Sequence, residues 1–83
     1  MNNMINLKDA LFDKMKQGDE RCELPIGTKV RKSVFEKGDM TPVGTPGTVE
    51  GSFQVHGMDC YLVRFDLHPE LVFIIGDKIQ KLK

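Results

Sequence analysis

The feature that most constrains the fold is the succession of short apolar runs and turns over the last third of the chain. Residues 61–66 (Tyr-Leu-Val-Arg-Phe-Asp) have the composition of a strand, and a short loop at residues 68–69 separates them from an apolar run at 71–75. A tight turn at 76–78 and a terminal strand at 79–83 follow. Closely spaced short strands with turn residues between them predict a small all-β sheet or barrel.

The first strand of that region, at residues 60–65, has two distinct faces. The two-residue period of a strand places Tyr61, Val63 and Phe65 on one side and Cys60 and Leu62, with Arg64, on the other. Residues 56–59 (His-Gly-Met-Asp) predict the hairpin turn that leads into it.

Two further strands are predicted upstream. Residues 29–35 alternate at their start, with Lys29 and Arg31 outward and Val30 inward. A second strand carries Val49, Phe53 and Val55 as inward candidates, and Gly51 within it predicts a β-bulge or a sharp bend.

The N-terminal region predicts an amphipathic helix over residues 4–17. Met4, Leu7, Leu11 and Met15 recur at spacings of three and four, and Gly18 is a suitable C-terminal stop. This helix either packs across an open end of the barrel or forms an oligomer or partner surface. We therefore divide the chain into residues 1–26, a helix and polar linker packed on the barrel, and residues 27–83, the barrel itself.

Composition restricts the class of protein. The 83 residues carry 12 basic and 12 acidic side chains and are 40% hydrophobic, which is ordinary for one small globular domain and gives no overall attraction to nucleic acid or anionic membranes. No hydrophobic leader or membrane-length apolar run is present, so we expect a cytoplasmic protein with no membrane partner. Its two cysteines, Cys22 and Cys60, are expected as free thiols, with a disulfide as the alternative.

The stretch from Gly27 to Lys83 resembles an SH3-like barrel. Residues 47–51 (Gly-Thr-Val-Glu-Gly) are similar to the start of the second strand in KOW, Tudor and related bacterial barrels. Residues 72–82 resemble the fourth strand, the one-turn 3₁₀ connector and the final strand of such folds. The resemblance implies a mainly β protein, a five-stranded SH3-like barrel preceded by one N-terminal amphipathic α-helix.

A narrower resemblance connects the chain to the plasmid-encoded type II dihydrofolate reductases. Residues 27–32 (Gly-Thr-Lys-Val-Arg-Lys), Tyr61-x-Val63 and His68-Pro69 carry it. Those enzymes are SH3-like barrels that form tetramers around a pore lined by a V-Q-I-Y strand. Residues 72–75 read Val-Phe-Ile-Ile here, so the amide and the phenol are replaced, and the resemblance implies Lys32 alone as a candidate ligand contact. We expect no catalytic residues and no cofactor, and keep a subunit of an oligomeric reductase-like enzyme as a distant alternative.

Histidine and cysteine residues make zinc binding one hypothesis to weigh. His56, Cys60, Cys22 and His68 supply four candidate zinc ligands, but their spacing lacks the close cysteine pairs of structural zinc sites. We therefore expect no metal.

The leading functional hypothesis is a non-catalytic module for protein–protein interaction or oligomerisation. The turn-rich loop over residues 36–46 and the loop over residues 65–71 are expected to frame a groove on one side of the barrel. The expected interface residues are apolar: Leu7, Leu11, Met15, Phe73 and Ile75.

The alternative is nucleic-acid binding through the basic first strand. Its candidate residues are cations and one aromatic that would stack on a base: Lys29, Arg31, Lys32, Lys37 and Phe35. A structural interpretation of the same cations is that they are the solvated face of an edge strand, where lysines block unwanted strand pairing.

Overall fold

The computed structural model describes residues 7–35, 37–39 and 41–82, with side chains from residue 9 onward. Over these residues the chain forms one helix, five strands and one 3₁₀ turn, which confirms the predicted mainly β class with an N-terminal helix. The elements are α1 (Leu7–Met15), β1 (Lys29–Lys32), β2 (Pro46–Val55), β3 (Met58–Phe65), β4 (Val72–Ile75), the 3₁₀ turn (Gly76–Lys78) and β5 (Ile79–Lys81). None of the described helical residues forms a segment long and apolar enough to cross a membrane.

The strands form one antiparallel sheet in the order β4-β3-β2-β1-β5. The interpretation of β1 as an edge strand is therefore wrong, because β1 pairs with β2 on one side and with β5 on the other. The edges of the sheet are β4 and β5. The first strand also ends at Lys32, short of the predicted residue 35.

The β2–β3 hairpin closes through a two-residue turn. Val55 pairs with Met58, so His56 and Gly57 make the turn, with φ of 50° and 77°. Positive φ at both central positions is what a type I′ hairpin requires, and Gly57 meets that requirement without steric cost. The predicted turn is confirmed, although Met58 and Asp59 already belong to β3.

A β-bulge lies between Val49 and Gly51. Val49 pairs with Val63, whereas Gly51 pairs with Leu62, so Glu50 is the extra residue. One extra residue reverses which side chains of the strand face the core. Phe53 consequently lies beside Cys60 on the outer face, and the prediction that it points inward is wrong. Val55 is exposed and does not enter the core either.

The core fills the inner face of the sheet. Tyr61, Val63 and Phe65 all point into it, which confirms the face predicted from the two-residue period. Its buried members come from the linker and all five strands: Cys22, Val30, Val49, Tyr61, Val63, Phe65, Ile74 and Ile79.

A second apolar cluster lies on the outer face, beneath α1. Met15, Cys60 and Leu62 are buried there, and Phe12, Phe53 and Leu71 pack around them. The helix therefore covers the outer face of β2 and β3 instead of an open end of the barrel. Its buried side runs through Phe12 and Met15 because that side meets the sheet, while Leu11 stays 37% exposed. Residues 1–6, including Met4, and the side chain of Leu7 lie outside the described residues.

The linker after α1 is fixed to β2 at Asp19. The Asp19 backbone N–H donates to Ser52 Oγ over 2.9 Å, and the Gln54 N–H donates to Asp19 Oδ2 over 2.9 Å. Arg21 forms an ion pair with the same carboxylate over 2.6 Å. The hydrogen bonds that the Asp19 carboxylate accepts, above all the one from the Arg21 side chain, hold its pKa well below its usual range.

Candidate interaction surface

The structure splits the predicted basic set between the two faces of the sheet. Lys29 and Arg31 point outward, where Lys29 Nζ donates to Thr48 Oγ1 over 2.8 Å and Arg31 Nη2 donates to Gln80 Oε1 over 2.9 Å. Lys32 lies two residues after Val30 and therefore points to the same, inner face of the sheet. The three cations of the strand therefore do not form one continuous binding face.

Lys32 is a buried lysine, so the expectation that it faces solvent for a phosphate or another ligand is wrong. Its side chain is 1% exposed, and it pairs across to Ile79 of the core. Its Nζ donates to Asp39 Oδ2 over 2.9 Å and to the Thr41 carbonyl over 3.2 Å. A buried ammonium needs such partners because desolvation of an isolated charge is very costly.

Phe35 and Lys37 lie in the loop after β1 and are exposed. The Phe35 ring centroid is 5.9 Å from Lys32 Nζ, a cation–π distance, so this aromatic lies close to the buried cation. The nucleic-acid hypothesis keeps Lys29, Arg31 and Lys37 as candidate contacts and stays a prediction.

The predicted interface residues on β4 share the outer face with Met15. Phe73 is the cross-strand partner of Leu62, and Ile75 is the partner of Cys60, so both point to the side that α1 partly covers. Phe73 nevertheless remains 45% exposed. The outer face of the apolar run at residues 71–75 is therefore covered only in part.

A groove of about 420 Å³, which we call the β4 groove, runs along the edge of β4. Among the described residues, all four of β4 line it and none of β3 does. Successive side chains of β4 point to opposite faces of the sheet. A groove lined by all four residues must therefore follow the edge of the strand that points away from β3. The two loops that were predicted to frame a groove complete its lining. The loop after β1 contributes residues 38, 39 and 41, and the loop before β4 contributes His68 and Leu71.

Among the residues that the structure describes, the charged side chains that line the β4 groove are Lys32, Lys78 and Asp39. Lys78 stands on the 3₁₀ turn, with Nζ 3.9 Å from Asp39 Oδ1 and 23% of its side chain exposed. Two ammonium groups thus adjoin one carboxylate in a partly desolvated position.

A larger groove of about 840 Å³ lies by the β2–β3 hairpin and has polar and apolar lining residues. The Asp59 carboxylate on its wall accepts hydrogen bonds from Gln54 Nε2, the Glu23 backbone N–H and the Tyr61 hydroxyl, at 2.9 to 3.0 Å. These bonds, the Gln54 one above all, lower the pKa of Asp59. The carboxylate fixes the linker to the sheet, so we assign it a structural role.

Tyr61 completes this polar cluster from the edge of the core. Its hydroxyl donates to Asp59 Oδ2 and accepts the Leu24 backbone N–H over 3.1 Å, while its ring is buried. Burial, more than any other cause, raises the pKa of Tyr61 to about 12. The phenol therefore stays protonated over the physiological range and ties the linker to β3.

The four zinc-ligand candidates are not brought together. Cys22 belongs to the inner core and Cys60 to the outer cluster, while His56 lies in the hairpin turn and His68 in the loop before β4. Within the described ranges, no three His, Cys, Asp or Glu side chains are placed to hold a metal ion. Both cysteines are buried free thiols, which confirms that expectation, and burial raises the pKa of each.

Comparison with known proteins gives no relative: no protein-family model matches the chain, and neither the curated proteins nor the solved structures contain a significant match.

Sequence reasoning missed Asp39 and Thr41 as members of a site. One signal was available, since the two-residue period already gives Lys32 the inward side of β1. An inward lysine requires a nearby acceptor, and Asp39 is the carboxylate that meets it in the adjacent loop.

Proposed function

We propose that the chain is a non-catalytic protein-binding module with SH3-like topology, which binds an extended segment of a partner protein along the edge of β4. The observation that carries this proposal is the β4 groove, which all four residues of an edge strand line. The strand order β4-β3-β2-β1-β5, with one 3₁₀ turn between β4 and β5, supports the SH3-like topology.

Strand addition fits the chemistry of this edge. An edge strand presents main-chain N–H and C=O groups that an extended peptide can pair with, and side-chain contacts beside the edge supply specificity. Val72–Ile75 is entirely apolar, and Phe73 offers an exposed aromatic ring next to the edge. Recognition of proline-rich ligands is disfavoured, because it needs a row of aromatic side chains and the chain has one tyrosine and no tryptophan.

The test begins with selection of random peptides displayed on phage against the immobilised chain. The selected peptides are then synthesised, titrated by fluorescence polarisation, and mapped by backbone amide chemical shifts. We expect the largest shifts in β4 and in the loop after β1, and weaker binding to the variant Phe73→Asp, which removes the exposed ring.

Leu67→Asp is the matched control. Leu67 is a fully exposed apolar residue in the loop before β4, and it does not belong to the described lining of the groove. Its φ of 68° suits aspartate better than leucine, so this variant should fold and bind normally. Failure to select any peptide, or shifts confined to the Lys29–Arg31 face, would contradict the proposal.

A further inference from the structure

We infer that the bound segment runs antiparallel to β4 and places a large apolar residue, aromatic or β-branched, directly opposite Phe73. This inference rests on the proposed function and specifies the class of partner. The main chain of Phe73 sets the register of the bound segment, and the Phe73 ring sets its side-chain preference. The pairing pattern of β3 and β4, the exposure of that ring and the difference between the two sheet edges support the inference.

The direction of the main-chain groups along β3 follows from its pairing with β2. The Asp66 N–H donates to the Pro46 carbonyl over 2.8 Å, just beyond the pair formed by Gly47 and Phe65. In an antiparallel ladder, such a bond lies next to a pair whose own residues exchange no hydrogen bonds. Phe65 therefore directs its N–H and C=O away from β2. These directions alternate along a strand, so Val63 also directs its main-chain groups away from β2, towards β4.

The main-chain groups of Phe73 point to the free edge of the sheet. Val63 pairs with Val72, so these two residues exchange the hydrogen bonds between β3 and β4. Phe73 is the next residue along β4 and therefore directs its N–H and C=O to the opposite side, where the sheet ends. Within the described residues, none of the turn and loop hydrogen bonds uses these two groups. An added strand can pair with both.

The Phe73 side chain lies on the outer face of the sheet, next to the same edge. Its cross-strand neighbour Leu62 is fully buried beneath α1, whereas Phe73 remains 45% exposed. Every strand pair of the described sheet is antiparallel, and antiparallel pairing is slightly the more stable per residue. A residue paired in this way with Phe73 has its Cβ atom within about 5.5 Å of the Phe73 Cβ, on the same face. Aromatic and β-branched residues form the most favourable pairs with an aromatic ring.

The two edges of the sheet differ in how they are protected from pairing. The β5 strand has only three residues, and two of them, Gln80 and Lys81, are exposed and polar. Short edge strands that carry lysine resist the addition of another strand. The segment Val72–Ile75 has neither a charged residue nor proline. The edge at β4 is therefore the one that accepts a strand.

A free extended segment fits the β4 groove better than a second folded copy of the chain. The groove lies between β4 and the loop after β1, which contributes residues 38, 39 and 41 to its lining. In a second copy, β4 has its own β3 about 4.8 Å behind it, and that strand would collide with the loop. A single segment has no sheet behind it, so it enters without this collision.

The experiment starts from the tightest-binding peptide of the phage selection, acetylated and amidated at its ends. Two series of peptides are made from it. In the first series, each residue in turn carries a methyl group on its backbone nitrogen, which removes the N–H donor. In the second series, each residue in turn is replaced by serine. Affinities for the full chain are measured by fluorescence polarisation.

Backbone methylation should weaken binding at alternate positions, because every second N–H of an added strand points away from β4. At the position opposite Phe73, we expect a loss of about tenfold from the missing hydrogen bond. Serine at the same position should also cost about tenfold, since the replaced side chain no longer covers the ring. The two losses coincide only in an antiparallel pair, because in a parallel pair they fall on neighbouring positions.

Phe73→Thr separates the contribution of the ring from that of the main chain. Threonine suits a strand, so the edge should remain available for pairing. In this variant, the loss caused by serine at the position opposite residue 73 should fall to near unity, and the loss caused by methylation should remain. Met58→Ser is the matched control, because Met58 is 46% exposed and is not among the described residues that line the β4 groove. Both losses should be unchanged in it, and thermal melts confirm that each variant is folded.

The outcomes separate this inference from the proposed function. Alternating losses on methylation, with the largest serine effect at a different position or unchanged in Phe73→Thr, overturn the inference and leave strand addition standing. Methylation losses without alternation, or an empty phage selection, overturn both. Light scattering that shows a dimer, with β4 amides protected from exchange only at high protein concentration, makes a second copy the occupant and also overturns both.

Discussion

The Lys32 ammonium lies 2.9 Å from the Asp39 carboxylate, which connects a central strand to the loop that follows it. Because the lysine is buried, this ion pair fixes the position of the loop relative to the sheet. Thr41 adds its carbonyl as a second acceptor. The loop held in this way forms part of the β4 groove, so a structural ion pair shapes the proposed binding site.

Removal of the Asp39 carboxylate should destabilise the fold more than removal of the Lys32 charge. Asp39→Ala leaves the Lys32 ammonium buried without its carboxylate, and we expect a loss of about 2–4 kcal/mol in the free energy of unfolding. Lys32→Met keeps the apolar stem and removes the charge, so its cost should be smaller. Urea denaturation of both single variants and of the double variant measures these changes in the free energy of unfolding. Simple additivity in the double variant would contradict the expected coupling.

Gly51→Ala should loosen the helix from the sheet. A Cβ atom at this position would lie 3.0 Å from Leu62 Cδ1 and 3.1 Å from the Met15 carbonyl oxygen, closer than normal packing permits. We expect a loss of about 1–3 kcal/mol, with faster amide exchange in α1. Gly57→Asn is the control, since nothing lies within 4 Å and asparagine tolerates its φ of 77°. Equal costs for the two variants would rule out the close approach as the cause.

The alkaline stability of the chain should depend on Tyr61. Because the folded state raises its pKa from 10.0 to about 12, the folded chain holds the phenolic proton more tightly than the unfolded chain. This contribution is complete below pH 10 and is lost as the pH rises towards 12. Tyr61 is the one tyrosine and there is no tryptophan, so tyrosinate absorbance titrates this group alone.

The variant Tyr61→Phe provides the second measurement. It removes the hydroxyl that bonds Asp59 and Leu24, and we expect a cost of about 1–2 kcal/mol at neutral pH. Above pH 10 the difference from the natural chain should shrink, because the natural chain then loses its own contribution. A titration of the folded chain centred near 10 would show that the phenol is not held as described.

The acid stability should depend on Asp19. Arg21 and two backbone N–H groups lower its folded pKa below the ordinary 3.8, so this contribution is present above about pH 4 and is lost as the pH falls further. Asp19→Asn should make the free energy of unfolding depend less steeply on pH in the acid range. Arg21→Gln should reduce that slope less, because the backbone N–H groups of Gln54 and Arg21 remain. An unchanged acid slope in Asp19→Asn would exclude Asp19 as a source of the pH dependence.

The sequence was most informative where local pattern decides the structure. The two-residue period correctly separated the faces of β3, and His56-Gly57 correctly marked the hairpin. Both depend on residues close together in the chain, whose geometry the backbone alone restricts.

Errors arose where a local feature had a distant consequence. Gly51 indicated the bulge, but the reversed orientation of Phe53 follows from the pairing of β2 with β3. The spacing of apolar residues in α1 is compatible with a buried side centred on Leu11, yet the surface of the sheet selects Phe12 and Met15. In both cases packing against the sheet determines which of two arrangements forms, because the segment alone favours neither.

The sequence by itself determined that this is a small, mainly β domain with a short helix and free thiols, because periodicity, turn residues and composition are local properties. Only the tertiary structure decided that β4 is an edge, that β1 is not, and that Lys32, Asp39 and Lys78 meet beside β4. Those relationships depend on which strands pair and on how a loop and a 3₁₀ turn pack over them. Strand pairing is set by the burial of a shared core, so it exists only once the whole chain has folded.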